Sequence, residues 1–75
     1  MKIDELDTKD LLCPLPVLKA HKRLKALETG DKLRIFATDP AALVDIPHYC
    51  AESGHILESM SEDDQGVQIY LVRRL

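Results

Sequence analysis

The residue best placed to do chemistry in this sequence is Cys13. It stands directly before Pro14-Leu15-Pro16-Val17-Leu18. Proline suits the first turn of a helix, because the N–H it lacks would have had no intrahelical partner there. The two prolines therefore predict a helix start, with Cys13 at its N-cap. Free backbone N–H groups and the positive end of the helix dipole would then lie close to the sulfur. Such surroundings favour thiolate over thiol. Cysteines at helix N-termini fall from about 8.5 to roughly 3.5–7.5 in pKa. The expectation is a reactive nucleophile, with Pro14 and Pro16 fixing the geometry of the cap and so the exposure of the sulfur.

The remaining candidates carry plainer readings. Cys50 lies near Ile46 and Tyr49 at helical spacing, which predicts a core position, with a secondary thiol role as the second reading. His21, His48 and His55 do not have the paired spacing of zinc ligands, so no metal site is expected. Lys19, Lys22, Arg23 and Lys25 fall in a stretch, Pro14 to Leu27, that holds no acid. This charge is either a solvated helix face or a docking surface for an acidic partner, with Lys19, Lys22 and Arg23 nearest the cysteine. The Glu62-Asp63-Asp64 stretch reads as a solubilising turn.

These groups must be positioned by short elements. Residues 2–8 read as a strand whose apolar members, Ile3 and Leu6, do not alternate cleanly. Residues 14–27 read as a helix with Val17, Ala20, Leu24 and Leu27 on one stripe, widened by Leu15 and Leu18. Gly30 is the natural C-cap. Residues 32–38 form a strand with Leu33, Ile35 and Ala37 on one face and Arg34, Phe36 and Thr38 on the other. Asp39-Pro40 opens a second helix, with Asp39 or Asp45 as cap. Pro47 would clash with the carbonyl of residue 43 inside a helix. This predicts either a start near Asp45-Ile46 or a kink, with the end at Gly54. Strands follow over 55–61 and 66–74, joined by a hairpin loop.

The order β-α-β-α-β-β predicts an α/β (α+β) two-layer sandwich with a four-stranded mixed sheet and both helices on one face. Arg34 and Phe36 would lie toward the open face. At 75 residues the chain makes one domain, 1–75, with a small core. A composition 45% hydrophobic and 31% charged is that of a soluble globular protein. No apolar run reaches the roughly 20 residues of a membrane span. Met1-Lys2-Ile3-Asp4-Glu5 has no apolar core, so no signal peptide is expected and the reading is cytoplasmic, with both cysteines reduced. A net charge of −3 argues against general nucleic-acid binding.

At Cys13-Pro14-Leu15-Pro16 the chain resembles the TusA-like (SirA-like) sulfur-carrier family, marked by Cys-Pro-x-Pro at the start of the first helix. Leu6-Asp7, Gly30-Asp31, Asp39-Pro40, Asp45-Ile46-Pro47, Cys50, His55 and the Tyr70–Arg73 strand extend the likeness almost end to end. Asp10 stands where the family usually has glycine, and aspartate tolerates a left-handed backbone better than most residues. The resemblance implies the β-α-β-α-β-β fold and an activity. Cys13 would accept sulfane sulfur as a persulfide and relay it to a partner protein, as a sulfurtransferase without a cofactor. The donor would be a cysteine desulfurase or a rhodanese-type protein. The acceptor would be a further sulfur-relay protein, as in the route to tRNA 2-thiouridine. Cys-x-x-Pro holds no resolving thiol one turn away, so a persulfide would survive instead of closing into a local disulfide.

Two other classes compete with this reading. One is a non-catalytic RNA- or protein-binding module using the sheet. The net negative charge and single phenylalanine weigh against base stacking. The other is a redox regulator pairing Cys13 with Cys50, which requires Cα atoms within about 7 Å. A carrier that docks with two partners in turn is expected to be a monomer.

Overall fold

A computed structural model describes residues 1–75. The elements run β1 (Ile3–Thr8), α1 (Leu15–Ala26), β2 (Lys32–Ala37), α2 (Ala42–Ser53), β3 (Ile56–Glu62) and β4 (Gln68–Arg73). The sheet order is β1-β2-β4-β3. β1 pairs parallel to β2, while β4 runs antiparallel to both β2 and β3. The mixed sheet expected from the element order is present. β4 inserts between β2 and β3, so the two crossovers advance across the sheet in the same direction. Successive right-handed crossovers of that kind place their helices on one face. Leu6, Leu33, Ile35, Ala37, Tyr70 and Val72 of the sheet accordingly form one cluster with Ala20 and Leu24 of α1 and Ala42, Ile46 and Cys50 of α2. No helix is long and apolar enough to cross a membrane.

Several local expectations are corrected. β1 does alternate, but through Asp4, Leu6 and Thr8, with Ile3 on the other face and 46% exposed. Asp4 is tolerated on the helix side because Arg23 Nη1 donates to its Oδ2 at 2.9 Å. On α1 the inward residues are Pro16, Ala20 and Leu24, while Leu15 and Leu18 project outward. The C-cap of α1 is Leu27 in an extended conformation; Gly30, at φ 92°, serves the following turn. Asp10 takes the left-handed conformation expected of it, at φ 67°.

Pro47 lies inside α2, which runs from Ala42 without restarting at Asp45. Its first residues make tight turns, with the Leu43 N–H donating to the Pro40 carbonyl and that of Val44 to Ala41. The carbonyl of Leu43, which Pro47 cannot serve, belongs to an exposed residue. Gly54, at φ 84°, ends the helix with its N–H on the Cys50 carbonyl, as expected.

On the open face the basic residues are tied to acids. Arg34 pairs with Glu5 at 2.8 Å, and Lys32 and Arg73 grip Glu58 at 2.7 and 3.0 Å. Cations neutralised in this way are poor phosphate ligands, which weighs against an RNA-binding sheet.

One polar chain crosses the core. The Tyr70 hydroxyl donates to Gln68 Oε1, and Gln68 Nε2 donates to the Asp39 carbonyl at 2.9 Å. Burial, together with the charge of Glu62, pushes the Tyr70 hydroxyl up to about 12. An unfolded tyrosine ionises near 10. Between those values the unfolded chain releases a proton that the folded chain keeps, so stability falls as pH rises above about 10. Tyr70→Phe is expected to leave Gln68 Oε1 buried and unpaired, at a cost of about 1–3 kcal/mol. It should also flatten the alkaline loss. Urea midpoints of both proteins at neutral and strongly alkaline pH check both effects.

Candidate functional site

The polar chain ends at Cys13. Asp39, held through its carbonyl by Gln68, accepts the Cys13 N–H on Oδ2 at 2.6 Å and the Ala41 N–H on Oδ1 at 3.1 Å. The loop carrying the cysteine is thus fixed to the segment between β2 and α2. Cys13 itself is exposed and precedes the helix by one position more than expected. Pro14 is the N-cap, without a side-chain cap bond, and Pro16 lies in the first turn. The Cys13–Pro14 peptide bond is cis.

A cleft of about 310 Å³ opens beside the sulfur, between the two helices. Cys13, Pro14 and Val17 form one wall; Asp45, His48, Tyr49 and Glu52 form the other. Those four α2 residues are spaced i, i+3, i+4, i+7, the signature of one helix face. Ala42, Ile46 and Cys50 make the opposite, buried stripe. His48 Nε2 lies 2.8 Å from Glu52 Oε1, and the Tyr49 hydroxyl lies 3.0 Å from His21 Nδ1.

The electrostatics reverse one expectation. The carboxylate of Asp45, on the facing wall of the cleft, pushes the Cys13 thiol up from its ordinary value. Partial desolvation and the charges of Asp45 and Asp39 act in the same direction. The predicted thiolate of a helix N-cap is not what this geometry favours. Cys13 sits outside the first turn, its own N–H points to Asp39, and the carboxylates of Asp45 and Asp39 push its thiol up.

The other sequence candidates separate. Cys50 is 3% exposed, in the core as expected, and burial pushes its thiol up. Both cysteines are free. Lys19, Lys22 and Arg23 do come together, around a second cleft of about 310 Å³ with Leu6 and Ala26. It lies on the β1 side of α1, away from the Cys13 cleft. Arg23 is not a free cation there, since it is bound to Asp4 and to the Glu5 carbonyl at 3.0 Å. Sequence reading treated Asp39 and Asp45 as helix caps and gave the polar face of α2 no role. The 45, 48, 49, 52 spacing was the available signal.

Known proteins bear on this geometry. A family model described as Sulfurtransferase TusA matches residues 4–74. The sulfur carrier protein TusA of Pseudomonas syringae pv. syringae is 37% identical over 70 residues, covering 93% of this chain and 82% of that protein. The protein of the same description from Pseudomonas entomophila is 39% identical over 69 residues, covering 92% and 85%. A crystal structure of a SirA-like protein from Desulfitobacterium hafniense superposes with a TM-score of 0.84. It covers 95% of both chains at 24% identity, so it shares the fold. Matched along nearly its whole length by the family model and by these relatives, the chain belongs to the TusA sulfurtransferase family.

Proposed function

We propose that this protein is a cytoplasmic sulfur carrier in which Cys13 accepts a sulfane sulfur as a persulfide and passes it to another protein. The observation that carries the reading is an exposed, unpaired cysteine on a loop clamped by Asp39, at the mouth of a cleft. In the loading step the Cys13 sulfur attacks the outer sulfur of a donor persulfide. The donor's S–S bond breaks with its electron pair left on the donor sulfur, which takes up a proton. Cys13–SH and R–S–SH become Cys13–S–SH and R–SH, so atoms and electrons balance without an oxidant. Unloading is the same exchange with a new acceptor.

The protein acts as a transferase only together with its partners, a cysteine desulfurase or rhodanese-type donor and a downstream acceptor, and meets them in turn as a monomer. Leu12, Leu15 and Leu18, exposed by 69%, 44% and 55%, give the rim beside Cys13 an apolar surface for such docking. The family relation supports a role in sulfur transfer, with the route to tRNA 2-thiouridine as one destination. Intact mass after incubation with a desulfurase and cysteine, without reductant, is the test. A gain of one sulfur atom is expected, and no gain with any sulfane donor overturns the reading.

Lys19 and Lys22 are the free cations of the second cleft and fit an acidic surface on one partner. Lys19→Glu with Lys22→Glu is expected to slow protein-to-protein transfer severalfold at low salt and to weaken its salt dependence. Loading from small polysulfides should stay unchanged. Equal rates with the wild type at low salt would show that this face is only solvated.

A further inference from the structure

The Cys13 cleft contains an arrangement that a nucleophile alone does not require. Every charged side chain on its walls belongs to α2, and no lysine or arginine lines it. Two of the acids nearby are already engaged. Asp39 accepts two backbone N–H groups, and Glu52 is paired with His48. The Tyr49 hydroxyl is engaged with His21. Asp45 is different. It is half-buried in the first turn of α2 with no ion-pair partner, and it faces Cys13 across the same cleft. A fixed negative charge beside the sulfur opposes formation of a second one. The free protein therefore carries a cysteine that is exposed in space and restrained in charge.

On the carrier reading given above, we infer that Asp45 is a restraint on Cys13 that a cationic side chain of the docking partner relieves. In the free protein the sulfur stays protonated and reacts slowly with adventitious electrophiles and oxidants. A partner that brings an arginine or lysine into the cleft pairs with Asp45, removes the opposing charge and lets the Cys13 proton leave to solvent. The thiolate then forms only where a persulfide is within reach. No lysine or arginine of the cleft supplies that cation and His48 is engaged with Glu52, so it must arrive with the partner. The restraint acts on the charge of the sulfur and not on its position, which Asp39 and Pro14 hold.

The test uses the full chain and iodoacetamide, an uncharged reagent that reads the thiolate fraction. The rate of Cys13 alkylation is followed against pH for wild type, Asp45→Asn and Asp45→Glu, with Cys50 serving as the internal unreactive thiol. Asp45→Asn is expected to react about three- to tenfold faster near neutral pH, with its profile displaced to lower pH. Asp45→Glu, which keeps the charge, should lie near the wild type. A second measurement needs no variant: a short oligoarginine peptide should accelerate wild-type alkylation, and added salt should do the same by screening. Neither should move Asp45→Asn. Superimposed profiles of wild type and Asp45→Asn, or equal acceleration of both by oligoarginine, would overturn the inference. The carrier reading is scored separately by sulfur gain in intact mass. A gain with superimposed profiles removes the restraint and leaves the carrier; displaced profiles without any gain do the reverse.

Discussion

Cys13→Ser is expected to take up no sulfur from a persulfide donor, while Cys50→Ala takes up one atom as the wild type does. The contrast follows from access and chemistry together. Serine keeps the size of the side chain but cannot form the sulfur–sulfur bond, so transfer capacity should fall to background and not merely slow. Cys50 packs with Ile46 and Ala42 under the sheet, and its sulfur is closed to a partner protein. Burial also holds it in the protonated form, which is the unreactive one. Alanine is the better replacement there, since a serine hydroxyl would enter an apolar site without a partner. Intact mass of the three proteins after desulfurase treatment checks the assignment. Sulfur retained by Cys13→Ser and lost from Cys50→Ala would transfer the role to the buried thiol and require the core to open. Sulfur lost only when both cysteines are removed would mean that neither is a dedicated carrier.

Ile46→Ala is expected to cost about 2–5 kcal/mol of stability, the range for truncating a buried branched side chain. Ile46 is 1% exposed and fixes α2 to the sheet between Ala42 and Cys50. Folded domains are stable by only about 0.05–0.15 kcal/mol per residue, so a loss of this size in so short a chain removes much of the total. A large unfolded fraction at 37 °C should follow. Val44, two residues earlier on the same helix, is 70% exposed. Val44→Ala should change stability by no more than about 0.5 kcal/mol, and alanine's higher helix propensity favours the smaller end. Urea denaturation of both variants distinguishes burial from residue type. Comparable losses in the two would show that helix formation, not packing on the sheet, limits stability. Because α2 also carries Asp45, a folded fraction of Ile46→Ala should show a displaced alkylation profile as well.

The fold is largely legible in the sequence. Leu33, Ile35 and Ala37 alternate over β2 because a half-buried strand has to show a period of two. At β4 the all-apolar set, Ile69 and Leu71 with Val67 just before the strand, is instead the less buried one, and Gln68, Tyr70 and Val72 face the core. Ala20 and Leu24 mark the inner stripe of α1 for the equivalent helical reason. Where reading failed, the local signal was outweighed by a long-range one. Leu15 and Leu18 extend the apolar stripe of α1, yet no sheet residue reaches them. Ile3 and Leu6 did not alternate cleanly in β1 because the inward place beside Leu6 is taken by Asp4, which Arg23, 19 residues on, satisfies. Pro47 looked like a helix boundary, although an unserved carbonyl at an exposed residue costs little.

The site divides along the same line. That a cysteine stands at the head of a helix, held by two prolines, is a local matter of backbone preference, and the sequence alone determined it. Which charges act on that cysteine was decided only by the tertiary structure. Asp39 reaches it across 26 residues, and Asp45 reaches it across the gap between two helices. Periodicity reports which face of an element is buried, one element at a time. The charge on a sulfur depends on every carboxylate within a few ångströms, and those distances exist only after the helices have packed.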